Sequence, residues 1–135
     1  MHVVQKLSFR CSGPECFWVN RPESALRAGR KILQHKLALQ VGLSVPDTLY
    51  SNDAGAIRMF LRKHGGEAVY KTFYSVTWQD DETHWLTYTS RLSEQDLVSD
   101  EILRATPGIF QSIVPKAYEL RVTEYLFTAL SVAEA

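Results

Sequence analysis

Lys71 stands inside an apolar run, EAVYKTFY from Glu67 to Tyr74. An unpaired ammonium buried among apolar side chains is costly, so a lysine here lies at a sheet edge or is aimed at something anionic. A second group of chemistry-bearing residues lies in IFQSIVPKAYELRV, Ile109 to Val122. Ile109 and Phe110 open it as a buried strand, and Gln111, Ser112, Ile113 and Val114 continue it with polar and apolar residues mixed. Pro115 has no N–H and closes the strand or holds it at an edge, and Lys116 follows. Glu119, Arg121 and Thr123 then alternate with Leu120 and Val122, the period-two pattern of a second half-buried strand that turns Glu119 and Arg121 the same way. A strand, a connector carrying a lysine and a strand presenting Glu and Arg would suit a cleft for a polyanion. Taken alone, these residues read more simply as a two-stranded edge with solvated charges.

The elements around these residues are legible in outline. Asn20 or Ser24 is a candidate cap, and Pro22 suits a first turn. Ala25, Ala28, Ile32, Leu33, Leu37 and Val41 keep one helical period up to Gly42. Lys31 and His35 lie one turn apart on that helix, and the sequence offers His35 no partner. Val45 to Tyr50 reads as a short strand with Pro46 at its edge. Ser51-Asn52-Asp53 is a capping cluster for an amphipathic helix from Asp53 to His64. Ala54, Ile57, Phe60 and Leu61 lie on one side of that helix and Arg58, Arg62 and Lys63 on another, with Met59 as core filler. Gly65-Gly66 reads as its C-cap rather than a phosphate loop.

Asp80-Asp81-Glu82 is the solvated tip of a hairpin, and His84 to Thr89 is its returning strand. Ser93 and Asp96 form a capping box for a short helix running to about Arg104. Thr106-Pro107-Gly108 turns the chain into Ile109. The strands near Val69–Tyr74, Trp85–Thr89 and Ile109–Val114 are expected to form one largely antiparallel sheet.

The chain has 135 residues, enough for one domain with a real core, since a domain takes roughly 100–200 residues. Fifteen basic and fifteen acidic residues are interspersed and balance to zero, so there is no basic face of the kind that binds nucleic acid. No apolar run is long enough for a membrane span, and the N-terminus has no signal-peptide core. The expected location is cytoplasmic. Cys11 and Cys16 lack the further ligands of a zinc site and read as two free thiols in a loop. Residues 1–17 read otherwise as a short strand broken at Ser12-Gly13-Pro14.

Five phrases in one order give a specific resemblance: WVNRPES at Trp18, KILQHKLALQVGL at Lys31, VPDTLYSND at Val45, FLRKHGGEAVYKT at Phe60 and IFQSIVPKAYELRV at Ile109. Together they resemble the ATP-grasp ligases, and most of all the branch holding the ribosomal-protein glutamate ligases and the macrocyclases of microviridin-type peptides. The resemblance covers most of Trp18 to Val122. It implies an α/β (α+β) fold: an ATP-grasp N-terminal subdomain with an antiparallel sheet and flanking helices, plus the first strands of the second subdomain. It implies a remnant of a preceding segment over 1–17, the N-terminal subdomain over 18–110, and the hinge and start of the C-terminal subdomain over 111–135.

In activity the resemblance implies an ATP-dependent carboxylate–amine or carboxylate–hydroxyl ligase acting on a peptide or protein through an acyl phosphate. ATP and Mg2+ would be its cofactors. Lys31 and Lys71 would contact ATP phosphates. Gln111, Ser112, Ile113 and Val114 would be the hinge whose backbone reads the adenine edge, with Lys116 near the base. Glu119 would accept from the ribose hydroxyls, where the family often has Asp. Arg121 would approach a phosphate or the acceptor carboxylate.

The sequence departs from the family pattern in two places. There is no glycine between Gly66 and Gly108, where many members carry a glycine-rich loop over the phosphates. The family's magnesium ligands are expected beyond Ala135, so the chain reads as a fragment. The alternative is a truncated, non-catalytic remnant that binds a peptide or protein partner.

Overall fold

The computed structural model describes residues 20–74, 77–79, 84–86, 88–125 and 128–134, with side chains left aside at 77–79, 84–86, 121, 123–125 and 128–134. The expectations for residues 1–17, the two cysteines and the acidic tip at 80–82 lie outside the described residues.

A four-stranded sheet organises the chain, in the order β1 (Thr48–Ser51), β6 (Gly108–Gln111), β2 (Glu67–Lys71), β5 (Ser90–Ser93), with each neighbouring pair antiparallel. Alternation along the strands gives the sheet two unlike faces. Leu49, Phe110, Ala68, Tyr70 and Leu92 share one face by register. That face receives α3 (Ala54–Lys63), whose Ile57, Phe60 and Leu61 pack with Ala68 and Phe110 into the buried core. The i, i+3, i+4 spacing of Ile57, Phe60 and Leu61 puts them on one stripe, and burying each contributes roughly 1.5–3 kcal/mol.

Both ends of α3 follow from its sequence. At the start, the Asp53 carboxylate accepts the Ala56 N–H at 2.6 Å. At the end, Gly66 N–H reaches Leu61 O at 2.8 Å and Gly65 N–H reaches Arg62 O at 3.4 Å, the paired bonds of a Schellman cap. Both glycines have positive φ, 77° and 89°, which a side chain would strain. Gly108 is glycine for another reason. A Cβ there would meet Tyr70 Cε2 at 2.5 Å, so the ring of Tyr70 lies against bare backbone.

The predicted single helix over Ala25 to Val41 is two. α1 (Pro22–Ala28) ends at Gly29, Arg30 is extended, and α2 (Lys31–Gln40) starts afresh. The apolar period runs through the break, but Gly29 costs about 1 kcal/mol against alanine in a helix interior. Arg21, not Asn20 or Ser24, precedes the first turn, with Pro22 at its first position. Met59 is 71% exposed and fills no core, because it falls off the buried stripe of α3.

The returning strand at His84 forms, but it does not join the main sheet as expected. β3 (Thr77–Gln79) and β4 (His84–Leu86) pair with one another as a separate ribbon. β5 then takes the place beside β2.

The capping box at Ser93 and Asp96 forms as expected, with Ser93 N–H and Oγ both reaching Asp96 Oδ2, at 2.8 and 2.6 Å. The helix after it is divided into a 3-10 turn (Glu94–Asp96) and α4 (Asp100–Ala105). Arg58–Asp100 at 2.6 Å and Arg62–Glu94 at 2.8 Å tie both to α3. The last ribbon is β7 (Glu119–Tyr125) with β8 (Thr128–Glu134). Leu120 and Val122 are 58% and 61% exposed, so β7 is not the half-buried strand its alternation suggests.

Candidate functional site

The sheet face opposite α3 holds the chemistry. Register places Thr48 and Tyr50 of β1, Ile109 and Gln111 of β6, and Val69 and Lys71 of β2 on it. α2 reaches this face through two side chains one turn apart. Lys31 donates to the carbonyl of Thr72, just past β2. His35 Nδ1 shares a hydrogen bond with Tyr50 Oη at 2.7 Å, and Tyr50 packs against Phe73 with centroids 6.0 Å apart. His35 therefore has the partner that the sequence could not supply.

Lys71 donates to Gln111 Oε1 at 2.6 Å, and Gln111 Nε2 donates to Thr48 Oγ1 at 2.9 Å. Burial first, and then the neighbouring Lys31 ammonium, hold Lys71 below the ordinary lysine value. Burial raises Tyr50 above the ordinary tyrosine value. Among the described residues, neither Lys31 nor Lys71 meets a carboxylate; both are answered by neutral oxygens. Lys31 also stands at the first position of α2, where the helix dipole opposes a cation, and no acidic residue lies in that turn. The result is uncompensated positive potential over half-buried ground, suited to a polyanion. Lys31 borders a cavity of about 390 Å³, walled by Leu33, Phe73 and Tyr74 and rimmed by Arg30 and Lys36.

The remaining candidates lie past the end of β6. The strand stops at Gln111, and Ser112 to Val114 run on outside it. Ser112 N–H donates to Asp47 O at 2.9 Å, so that donor is already committed. Lys116 and Glu119 pair with each other and are exposed. Arg121 is in β7 opposite Val132, and its side chain is outside the described set. The structure thus joins Lys31, Lys71 and Gln111, and joins Lys116 with Glu119. Sequence reasoning missed Thr48, although its place two residues before Tyr50 in a strand was a signal that the two share a face. Among the described residues no three His, Cys, Asp or Glu side chains gather as metal ligands. No described helix is long and apolar enough to cross a membrane.

No family profile matches the chain, and no curated protein does. Solved structures match it well. The macrocyclase MdnC of Microcystis aeruginosa MRC, bound with precursor peptide MdnA, is 30% identical with a TM-score of 0.76 over 85% of this chain and 38% of its own. The macrocyclase MdnB of the same organism is 34% identical with a TM-score of 0.67 over 90% and 40%. A Chryseobacterium gregarium RiPP-associated ATP-grasp ligase, in complex with ADP and a leader and core peptide, is 24% identical and shares the fold, with a TM-score of 0.77 over 85% and 34%. The chain spans between 34% and 40% of the length of these proteins. Sequence and fold together match it to the ATP-grasp ligases, among the peptide-modifying ligases and macrocyclases. Its sheet and flanking helices are those of an ATP-grasp-like N-terminal subdomain.

Proposed function

We propose that the chain contributes the phosphate-facing part of an ATP-dependent ligase that joins a peptide or protein carboxylate to an amine or hydroxyl through an acyl phosphate. The observation that carries this reading is the pair of ammonium groups, Lys31 and Lys71, brought together on one sheet face and answered only by neutral oxygens among the described residues. Phosphorylating a carboxylate makes a polyanion meet an anion, and fixed cations offset that repulsion where charge builds up.

In this reading 18–110 is the N-terminal subdomain and 111–135 holds the hinge and strands of the second. The backbone of Gln111 to Val114 reads the adenine edge with the groups that Ser112 N–H, held by Asp47, leaves over. Glu119 accepts from the ribose hydroxyls once ATP draws it from Lys116, since a carboxylate only accepts. Arg121 meets a phosphate or the acceptor carboxylate, where a planar fork suits an oxyanion. Magnesium, when bound, shields the phosphates. In this reading the protein works in the cytoplasm, where ATP is supplied.

Isothermal calorimetry and thermal shift with Mg-ATP test the reading, comparing the 135-residue chain with Lys71→Ala. Weak binding is expected, and its loss in the variant. Binding that survives Lys71→Ala overturns the phosphate-contacting role of Lys71.

A further inference from the structure

The hydrogen bonds around Gln111 run in one direction. Thr48 Oγ1 spends its only proton on Pro46 O, at 2.8 Å. It can therefore only accept from Gln111, whose amide must turn its NH2 toward it. That fixes the amide oxygen on the other side, where Lys71 donates at 2.6 Å. The reversed amide would set NH2 against an ammonium that has no acceptor, so the orientation follows from the network. The chain of bonds crosses three adjacent strands, β1, β6 and β2. It ends where β6 gives way to the segment from Ser112 onward.

We propose that Gln111 is a positioning residue: its side chain, locked by Thr48, aims the Lys71 ammonium at a phosphate of the nucleoside triphosphate whose base is read by the backbone that follows. The inference rests on the nucleotide reading above and adds to it a physical link between base and phosphate recognition. A neutral amide suits this task. It orients Lys71 without cancelling its charge, which a carboxylate in the same place would do.

Among the described residues, the other titratable or charged groups around Lys71 are Lys31 and His35 from α2, Tyr50 of β1, Glu67 of its own strand and Arg91 of β5. Changes at Gln111 or Thr48 leave all of them in place. The test follows the Lys71 ammonium by heteronuclear NMR titration, and Mg-ATP affinity by calorimetry, in the full chain and in Gln111→Leu, Gln111→Glu and Thr48→Val. Removing the acceptor in Gln111→Leu is expected to move the Lys71 titration to lower pH. The carboxylate of Gln111→Glu is expected to move it to higher pH. Thr48→Val should follow Gln111→Leu in direction, and it carries the test should Gln111→Leu not fold. Mg-ATP should bind about tenfold more weakly to Gln111→Leu. A Lys71 titration unmoved in all the variants overturns the proposal. Lys71→Ala separates the two levels. ATP binding that survives Lys71→Ala overturns the nucleotide reading. ATP binding lost in Lys71→Ala but untouched in Gln111→Leu overturns the positioning role alone.

Discussion

Lys71 in β2 and Lys31 at the head of α2 bear on one another: the Lys31 charge helps to hold the Lys71 ammonium below its ordinary proton affinity. Two like charges at half-buried ground weaken the fold in the absence of a ligand. Lys71→Met keeps the stem and removes the charge. It is expected to unfold at the same temperature as the parent or slightly above, while losing Mg-ATP binding through a charge-assisted contact worth about 1.5–3 kcal/mol. Melting curves with and without nucleotide check both halves. A variant that is destabilised yet still stabilised by ATP would contradict both.

The same pair sets a pH dependence, and its two parts have opposite signs. Lys71 has a folded-state proton affinity below the ordinary 10.5, so between the lowered value and 10.5 the unfolded chain binds more protons than the folded one. Stability contributed by this group therefore rises with pH through that window. On the proposed nucleotide reading, phosphate affinity should fall through the same window, because the Lys71 ammonium is lost. Calorimetry with Mg-ATP at stepped alkaline pH should show affinity declining below 10.5, and Lys71→Arg should remove that decline, since guanidinium stays charged.

Gly108→Ala tests the close approach of Tyr70. The new Cβ would sit 2.5 Å from Tyr70 Cε2 and 3.1 Å from Phe110 Cε2. Both rings are packed against each other at 5.4 Å between centroids, so neither can yield freely. Overpacking of this kind costs about 1–3 kcal/mol. Urea denaturation should show a lowered midpoint with an unchanged slope, and Tyr70→Leu in the same chain should recover part of the loss.

Acid should loosen α3 from its neighbours. Asp47 is held below its ordinary value by hydrogen bonds from Lys63 and His64, Glu94 by Arg62, and Asp100 by Arg58. Groups of this kind stabilise the fold above their ordinary values of 3.8 and 4.5 and lose that contribution as pH falls through the lower folded values. Denaturation midpoints should drop from about pH 5 downward. Asp47→Asn should flatten that fall, and an unchanged profile would remove Asp47 from the account.

Local chemistry was the most legible part of this sequence. The caps at Asp53, Gly65-Gly66 and Ser93–Asp96 rest on residues a few positions apart, and each forms as their types dictate. The buried stripe of α3 and the run into Ile109 and Phe110 were equally plain. What was hidden depends on partners distant in the chain. β5 is the short run SRLS, with no β-branched or aromatic residue, and it is a strand because β2 offers it an edge. The network of Thr48, Gln111 and Lys71 joins residues 63 and 40 positions apart, beyond any periodicity. The roles of Lys31 and Lys71 were read from family resemblance; their proximity is read from the fold.

β2 and β5 pair directly, with Tyr70 opposite Ser90 and Ala68 opposite Leu92. Seen from the sheet, everything between Lys71 and Ser90 is therefore an excursion whose two ends are sewn together at the root. Beyond Thr72, Phe73 and Tyr74, which serve the candidate site, its content, including the β3–β4 ribbon, is free to change while the ladder beneath it keeps register. Doubling the length of such a closed loop costs only about 0.6 kcal/mol. This makes the excursion a natural graft point of the chain, where evolution or an engineer could splice in a different segment, a glycine-rich one included, without redrawing the sheet that carries Lys71.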